Sequence, residues 1–120
     1  MSFILVMTGG AIGAGARHLV GRAIVAGSGL PLGTLTVNLV GGLLMGVLAG
    51  TLARQEVGEA WRLFLGVGVL GGFTTFSAFS LDMFQLIERG AAMLAVGYAL
   101  ASVVGSIAAL AGGLWLVRAA

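Results

Sequence analysis

The chain has 120 residues, 59% hydrophobic and 8% charged, with a formal net charge of +2 and a mean hydropathy of +1.14. A soluble domain carries about 25% charged residues, so this chain has too few to clothe a water-facing surface and reads as an integral membrane protein. The lack of cysteine excludes disulfides, thiol catalysis and thiolate metal sites, and six scattered arginines form no basic patch for nucleic acid.

The opening stretch MSFILVM has no charged n-region, so no cleaved signal peptide is expected. A first apolar segment spans about residues 3–24 and carries Arg17 and Arg22 toward its end. The loop AGSGLP follows, with Pro31 suited to the first turn of the next helix. A second segment, about residues 32–52, ends at ARQEVGEAWR, the most charged stretch of the chain. A third, about residues 61–87, closes at Glu88-Arg89-Gly90. The fourth, about residues 91–117, finishes with Trp115 and Arg118 as interfacial anchors. Each is near or above the roughly 20 residues that span a bilayer. The expectation is an all-α membrane protein with four transmembrane helices in one domain, residues 1–120, and no soluble domain left over.

An even number of spans puts Arg54, Arg62 and Arg118 on one side, against Arg22, Arg89 and, if interfacial, Arg17 on the other. Orientation follows such bias, which is close to zero here. A dual-topology protein whose two orientations pair antiparallel is expected; the plainer alternative is one orientation fixed by a single arginine or a partner. Gly42, Gly46 and Gly50 recur at every fourth position, as do Gly97, Ala101, Gly105, Ala109 and Gly113. Such stripes let helices approach closely in lipid, within one chain or between chains.

Polar residues within apolar spans are costly and therefore informative. Thr34 and Asn38 share a helix face at i, i+4, and Tyr98, Ser102 and Ser106 share another at i, i+4, i+8. They read either as interhelical hydrogen bonds or as a polar track. In the third segment GVLGGFTTFSAF raises a sharper question. Gly71 and Gly72 weaken a helix by about 1 kcal/mol each relative to alanine, and Thr74 and Thr75 add to that. A break there would free carbonyls for a cation and N–H groups for an anion; the alternative is a straight helix with glycines for packing. Phe76 and Phe79 share a side just beyond. Their electropositive ring edges can face a small anion, with Thr75 and Ser80 offering hydroxyls. Asp82 and Glu88 come toward the segment's end, Glu88 at the water interface beside Arg89.

The blocks GGAIGAGARH, GTLTVNLVGGLLMG and GGFTTFSAFSLD resemble the signature blocks of Fluc-type (CrcB-like) fluoride channels, and the resemblance extends over the whole chain. It implies an antiparallel dual-topology homodimer in the cell's inner membrane, with two fluoride pores, passive fluoride export and one central structural sodium ion. Asn38 matches the family's pore asparagine, with Thr34 one turn before it. Gly71 and Thr74 match the positions whose carbonyls hold the sodium. Phe76 and Phe79 match the pore aromatics, Thr75 and Ser77 lie in the same hydroxyl-bearing motif, and Tyr98, Ser102 and Ser106 fit the fourth-helix track. Arg17 matches the first-helix arginine; Glu88 is grouped with it as a structural or vestibule residue. His18, where the family usually has tyrosine, and Ala78, where it often has threonine or serine, depart from the pattern.

Two other readings compete. A small multidrug-resistance-like exporter shares the length and the four spans but needs a carboxylate in its first helix, and residues 3–24 hold none. A non-transporting assembly subunit would use the polar residues only as interhelical contacts. One histidine and no paired carboxylates near mid-span leave little for catalysis.

Overall fold

A computed structural model describes residues 2–24, 31–54 and 58–119, with the side chain of Arg54 excepted. Most of the AGSGLP loop and part of the ARQEVGEAWR stretch fall outside the described residues. Helix α1 is Ser2–Ala23 and α2 is Leu32–Arg54. The third span begins with α3, Glu59–Trp61, passes through a π-helical stretch, Arg62–Leu70, and ends its first half in α4, Gly71–Phe73. Helical turns resume in α5, Ser77–Glu88, and α6 covers Ala92–Ala119. By length and composition there are four candidate membrane spans, the third running from Glu59 to Glu88. The chain is thus all-helical and multi-pass, as its composition requires.

Local chemistry sets the ends. Pro31 immediately precedes α2, and its carbonyl accepts the Leu35 N–H at 3.2 Å; proline lacks a donor, which costs nothing at a helix start. Arg62 pairs with Glu59 at the head of the third span. Between α5 and α6 the turn is made at Gly90, φ 78°, the left-handed backbone that glycine adopts without Cβ strain. The Ala91 N–H reaches back to the Leu86 carbonyl at 2.9 Å and the Gly90 N–H to that of Ile87 at 3.0 Å. These two bonds satisfy carbonyls that the end of α5 would otherwise leave open.

Two close helix pairs organise the chain. The first half of the third span packs on α1, and α6 packs along α2. Both pairs meet at glycine. A Cβ on Gly42 would stand 2.8 Å from the Ser106 carbonyl oxygen, one on Gly46 would strike the Leu110 carbonyl, and one on Gly113 that of Leu43. Across the other pair, a Cβ on Gly9 would lie 2.5 Å from the Phe64 carbonyl oxygen and one on Gly72 2.5 Å from that of Gly10. Such contacts bring backbones together where lipid supplies no hydrophobic drive between helices. The small-residue stripe of α6 is therefore divided: Gly113 and Gly105 face α2, while Gly97 has nothing within 4 Å. A small core forms where α5 meets α6, with Leu86, Ala95 and Tyr98 buried and Leu35, Phe79 and Met83 against them. Most other apolar side chains of the spans are exposed.

Candidate functional site

The site is built around residues 74–76, between α4 and α5. Thr74 is extended, φ −83° and ψ 157°. In a continuous α-helix each N–H bonds the carbonyl four residues back. The Thr75 N–H would then serve the Gly71 carbonyl; it donates instead to Asn38 Oδ1 of α2 at 3.2 Å, and Asn38 Nδ2 donates to the Thr75 carbonyl at 3.5 Å. The Ala78 N–H would serve Thr74; it donates to Thr75 Oγ1 at 3.1 Å, so the threonine hydroxyl caps α5. The Gly72 carbonyl accepts from Arg17 Nε of α1 at 3.4 Å. Leu70 takes both the N–H and the hydroxyl of Thr74, each at 3.0 Å. The interruption releases the carbonyls of residues 71–74 from their helical donors; that of Gly72 is taken by Arg17, and those of Gly71 and Thr74 lose theirs to Asn38 and Thr75.

Beside these residues lies an open cavity of about 560 Å³. Asn38, Gly71, Thr74, Thr75, Phe76, Phe79, Ser102 and Ser106 contribute to its lining, with apolar residues of α2 and α6. No charged residue is among the described lining. Ser106 Oγ donates to the Asn38 carbonyl at 3.4 Å, which joins α6 to α2 at this level. Ser102 is 6% exposed, and its hydroxyl makes no hydrogen bond of ordinary geometry with any described residue. A buried polar group without a partner costs about 1–3 kcal/mol; the Tyr98 hydroxyl, one turn earlier on the same face of α6, is the polar group its position offers.

Three aromatic rings run in series past the cavity. The centroids of Phe76 and Phe79 are 5.7 Å apart and those of Phe79 and Tyr98 are 5.2 Å apart. Phe76 is 78% exposed in the single chain. The Tyr98 hydroxyl donates to Asp82 Oδ2 at 3.2 Å. A second cavity of about 360 Å³ lies against the other side of Thr75 and is lined by Arg17, His18, Gly21, Arg22, Gly33, Thr34, Val37, Thr75 and Ala78.

The expected site residues are thus divided. Asn38, Gly71, Thr74, Thr75, Phe76, Phe79, Ser102 and Ser106 meet at one cavity; Thr34 faces the other, and Thr75 contributes to both. Tyr98 is buried and bonded to Asp82. Ser77 is exposed, its hydroxyl 3.3 Å from that of Thr75. Glu88 is exposed at the end of α5 and lines neither cavity. Arg17, counted above as possibly interfacial, lies level with Gly72 through its hydrogen bond. Asp82 was not among the expected site residues. Its signal was in the spacing, since Phe76, Phe79 and Asp82 recur at every third position of the α5 segment.

Four apolar spans, the third of them interrupted beside an uncharged cavity lined from α2, the third span and α6, define a multi-pass membrane protein. The family model described as CrcB-like protein, Camphor Resistance (CrcB), matches residues 4–114, and the chain belongs to that family. It is 56% identical over 120 residues to a protein of Sphingopyxis alaskensis, covering 98% of this chain and 95% of the relative. It is 52% identical over 119 residues to one of Mesorhizobium japonicum, covering 98% and 96%. A relative from Chelativorans sp. is 57% identical over 120 residues, covering 96% and 94%. Each of the three is named Fluoride-specific ion channel FluC.

Proposed function

We propose that the chain is a passive, fluoride-selective channel that works as an antiparallel homodimer in the cell membrane, with two pores and a central structural sodium ion. The observation that carries this reading is the cavity at residues 74–76. It offers Asn38, Thr75, Ser102 and Ser106 together with the rings of Phe76 and Phe79, and no charged side chain. Moving a small, strongly hydrated anion into low dielectric has an idealised cost on the order of 20 kcal/mol. Hydroxyl and amide donors and electropositive ring edges replace part of its water, and without a fixed cation they leave it free to depart. The names of the curated relatives point to the same ion.

The helical interruption then lies near mid-membrane, where irregular backbone is tolerated only if protein or a watery cavity surrounds it. The carbonyls of Gly71 and Thr74 suit a hard monovalent cation, because side chains have taken both of their helical donors. Two antiparallel copies supply four such carbonyls about one axis. The ion supplies positive charge that holds oxygen dipoles together; no cluster of three or more acidic, histidine or cysteine side chains among the described residues competes for that role. A second copy also covers an apolar rim that one chain leaves exposed: Phe76, Val103 and Ile107 are 78%, 54% and 66% exposed, around a cavity open on that side.

The test is fluoride efflux from liposomes that contain only this protein, with chloride efflux as the control. Fluoride efflux well above that of protein-free liposomes, with little chloride efflux, is expected. Absent fluoride flux, or equal flux of both ions, overturns the reading.

A further inference from the structure

Among the described hydrogen bonds, one brings a charged side chain to the released carbonyls of residues 71–74: Arg17 Nε donates to that of Gly72 at 3.4 Å. The packing of α1 puts it there. Gly10, Gly13 and Arg17 stand at i, i+3 and i+7, on one helix face. A Cβ on Gly13 would lie 2.7 Å from the Phe73 nitrogen, and one on Gly72 would lie 2.5 Å from the Gly10 carbonyl oxygen. These glycines press α1 against the backbone of residues 72–73, and the next turn along the same face delivers a guanidinium to that backbone. Carbonyls at the end of a helical stretch point toward its C-terminal end and together carry about half a negative charge. Arg17 sets a full, permanent positive charge beside them. It also lines the second cavity, where the described lining holds Arg22 and no carboxylate to offset it.

We infer that Arg17 restricts the cation site at Gly71 and Thr74 to a monovalent ion. The inference rests on the structural-cation part of the reading above. Two effects act together. Repulsion between a fixed charge and a bound ion grows in proportion to the ion's charge, so it is about twice as large for a divalent ion as for sodium. The half-helix ends of two copies offset only about one positive charge in all. The second effect is the supply of ligands. Calcium takes about six to eight oxygens, commonly with carboxylates among them. The described lining of the larger cavity holds no carboxylate, and Arg17 withdraws the Gly72 carbonyl from the set. Arginine keeps its charge in a partly buried place where lysine can lose a proton, and its weakly hydrated guanidinium is the easier of the two to bury.

The experiment measures melting temperature in detergent at constant ionic strength, with a bulky organic cation replaced by sodium or by calcium. Calcium is close to sodium in size, so charge is the variable. Fluoride is left out, because calcium precipitates it. The unmodified protein is expected to gain stability from sodium and none from calcium. Arg17→Met removes the charge and the donor while keeping a long apolar stem; Arg17→Gln removes the charge but keeps a donor for the Gly72 carbonyl. At about 10 mM calcium, about 10- to 100-fold above the dissociation constants of weak protein sites, the melting temperature of Arg17→Met should rise on the order of 5 °C. Arg17→Gln should rise by less. A response in Arg17→Met alone supports the inference through the Gly72 carbonyl rather than through the charge. Folded variants that still respond to sodium and ignore calcium overturn it. So does an unmodified protein that calcium stabilises as much as sodium does, a result that needs neither variant to fold. If only Arg17→Gln folds, its response to calcium decides. An unmodified protein indifferent to every cation is a different result: it sinks the cation site itself, and the inference falls with it.

Discussion

Asn38→Ala removes the side chain that turns the Thr75 N–H away from the helix. Two bonds are lost. That of Thr75 N–H to Oδ1 is 3.2 Å long, and that of Nδ2 to the Thr75 carbonyl, at 3.5 Å, lies at the limit of a hydrogen bond and adds little. The main cost is the orphaned Thr75 N–H, about 1–3 kcal/mol for a buried donor and toward the lower end here, where the site is only partly buried. The chain has one obvious repair, which is to return the N–H to the Gly71 carbonyl. That requires Thr74 to swing from ψ 157° to about −42°, carrying Phe76 with it. The expected loss is therefore about 1–2 kcal/mol, a factor of about 5 to 30 in the folded-to-unfolded ratio. Fluoride flux should fall too, because the repair closes a carbonyl and moves a ring.

Asn38→Asp separates clamp from pore. Its carboxylate still accepts from the Thr75 N–H and so keeps the backbone in place, although its second oxygen now faces the Thr75 carbonyl and the charge itself lowers stability. At pH 7 an ionised carboxylate about 6 Å from a passing anion, at an effective dielectric constant near 20, repels it enough to lower flux on the order of 100-fold. Detergent-titration unfolding and liposome fluoride efflux on the same preparations give both numbers. An Asn38→Ala protein as stable as the parent, together with an Asn38→Asp protein conducting within about threefold of it, would falsify this account of the site.

Three further expectations follow from the same geometry. Phe76→Ile and Phe79→Ile keep most of the apolar volume but lose the electropositive ring edge, so fluoride efflux should collapse while size-exclusion elution stays normal; normal efflux in both well-folded variants counts against a pore role. Gly113→Ala drives a methyl into the Leu43 backbone and should cost about 1–3 kcal/mol by overpacking, whereas Gly112→Ala has nothing within 4 Å and should be neutral; equal damage from both, measured by thermal loss of the monodisperse peak, removes the proposed α2–α6 contact. Replacing sodium by a bulky organic cation should lower the melting temperature and the flux together, since a bound ion stabilises by mass action; unchanged melting in sodium-free buffer eliminates the proposed ion.

Much of the fold was legible because lipid imposes a simple constraint. Four apolar runs of membrane length appear as four candidate spans, and the charged stretches lie at their ends. The division of the small-residue stripes was not legible. Gly97 and Gly113 fall on one nominal stripe, yet only Gly113 meets a backbone within the chain, because spacing along one helix says nothing of where its neighbour crosses. The π-helical turns at Arg62–Leu70 also left no mark in the pattern of apolar residues. At the site, residue types were readable and partners were not. Asn38 stood out as the single asparagine, but its partner is the backbone of Thr75, and a backbone group carries no sequence signal. Asp82 was visible by spacing; that Tyr98 donates to it depends on how α5 docks on α6.

The residues around Thr74 explain why a weak helical stretch becomes a specific site rather than a frayed one. Glycines alone would leave residues 71–76 free to sample helical turns, at a disadvantage of only about 1 kcal/mol each. Three side chains, from α1, α2 and the interruption itself, remove that freedom. Asn38 from α2 claims the Thr75 N–H, the Thr75 hydroxyl claims the Ala78 N–H, and Arg17 from α1 claims the Gly72 carbonyl. Each hydrogen bond contributes about 0.5–1.5 kcal/mol, more for the charged donor. Together they hold the chain away from the helical bonds that the N–H groups of residues 75–78 would otherwise make. Among the groups they leave over are the Gly71 and Thr74 carbonyls and the exposed ring of Phe76. Polar residues that would otherwise pass as interhelical contacts therefore act earlier in the chain of causes: they fix which backbone atoms remain for an ion.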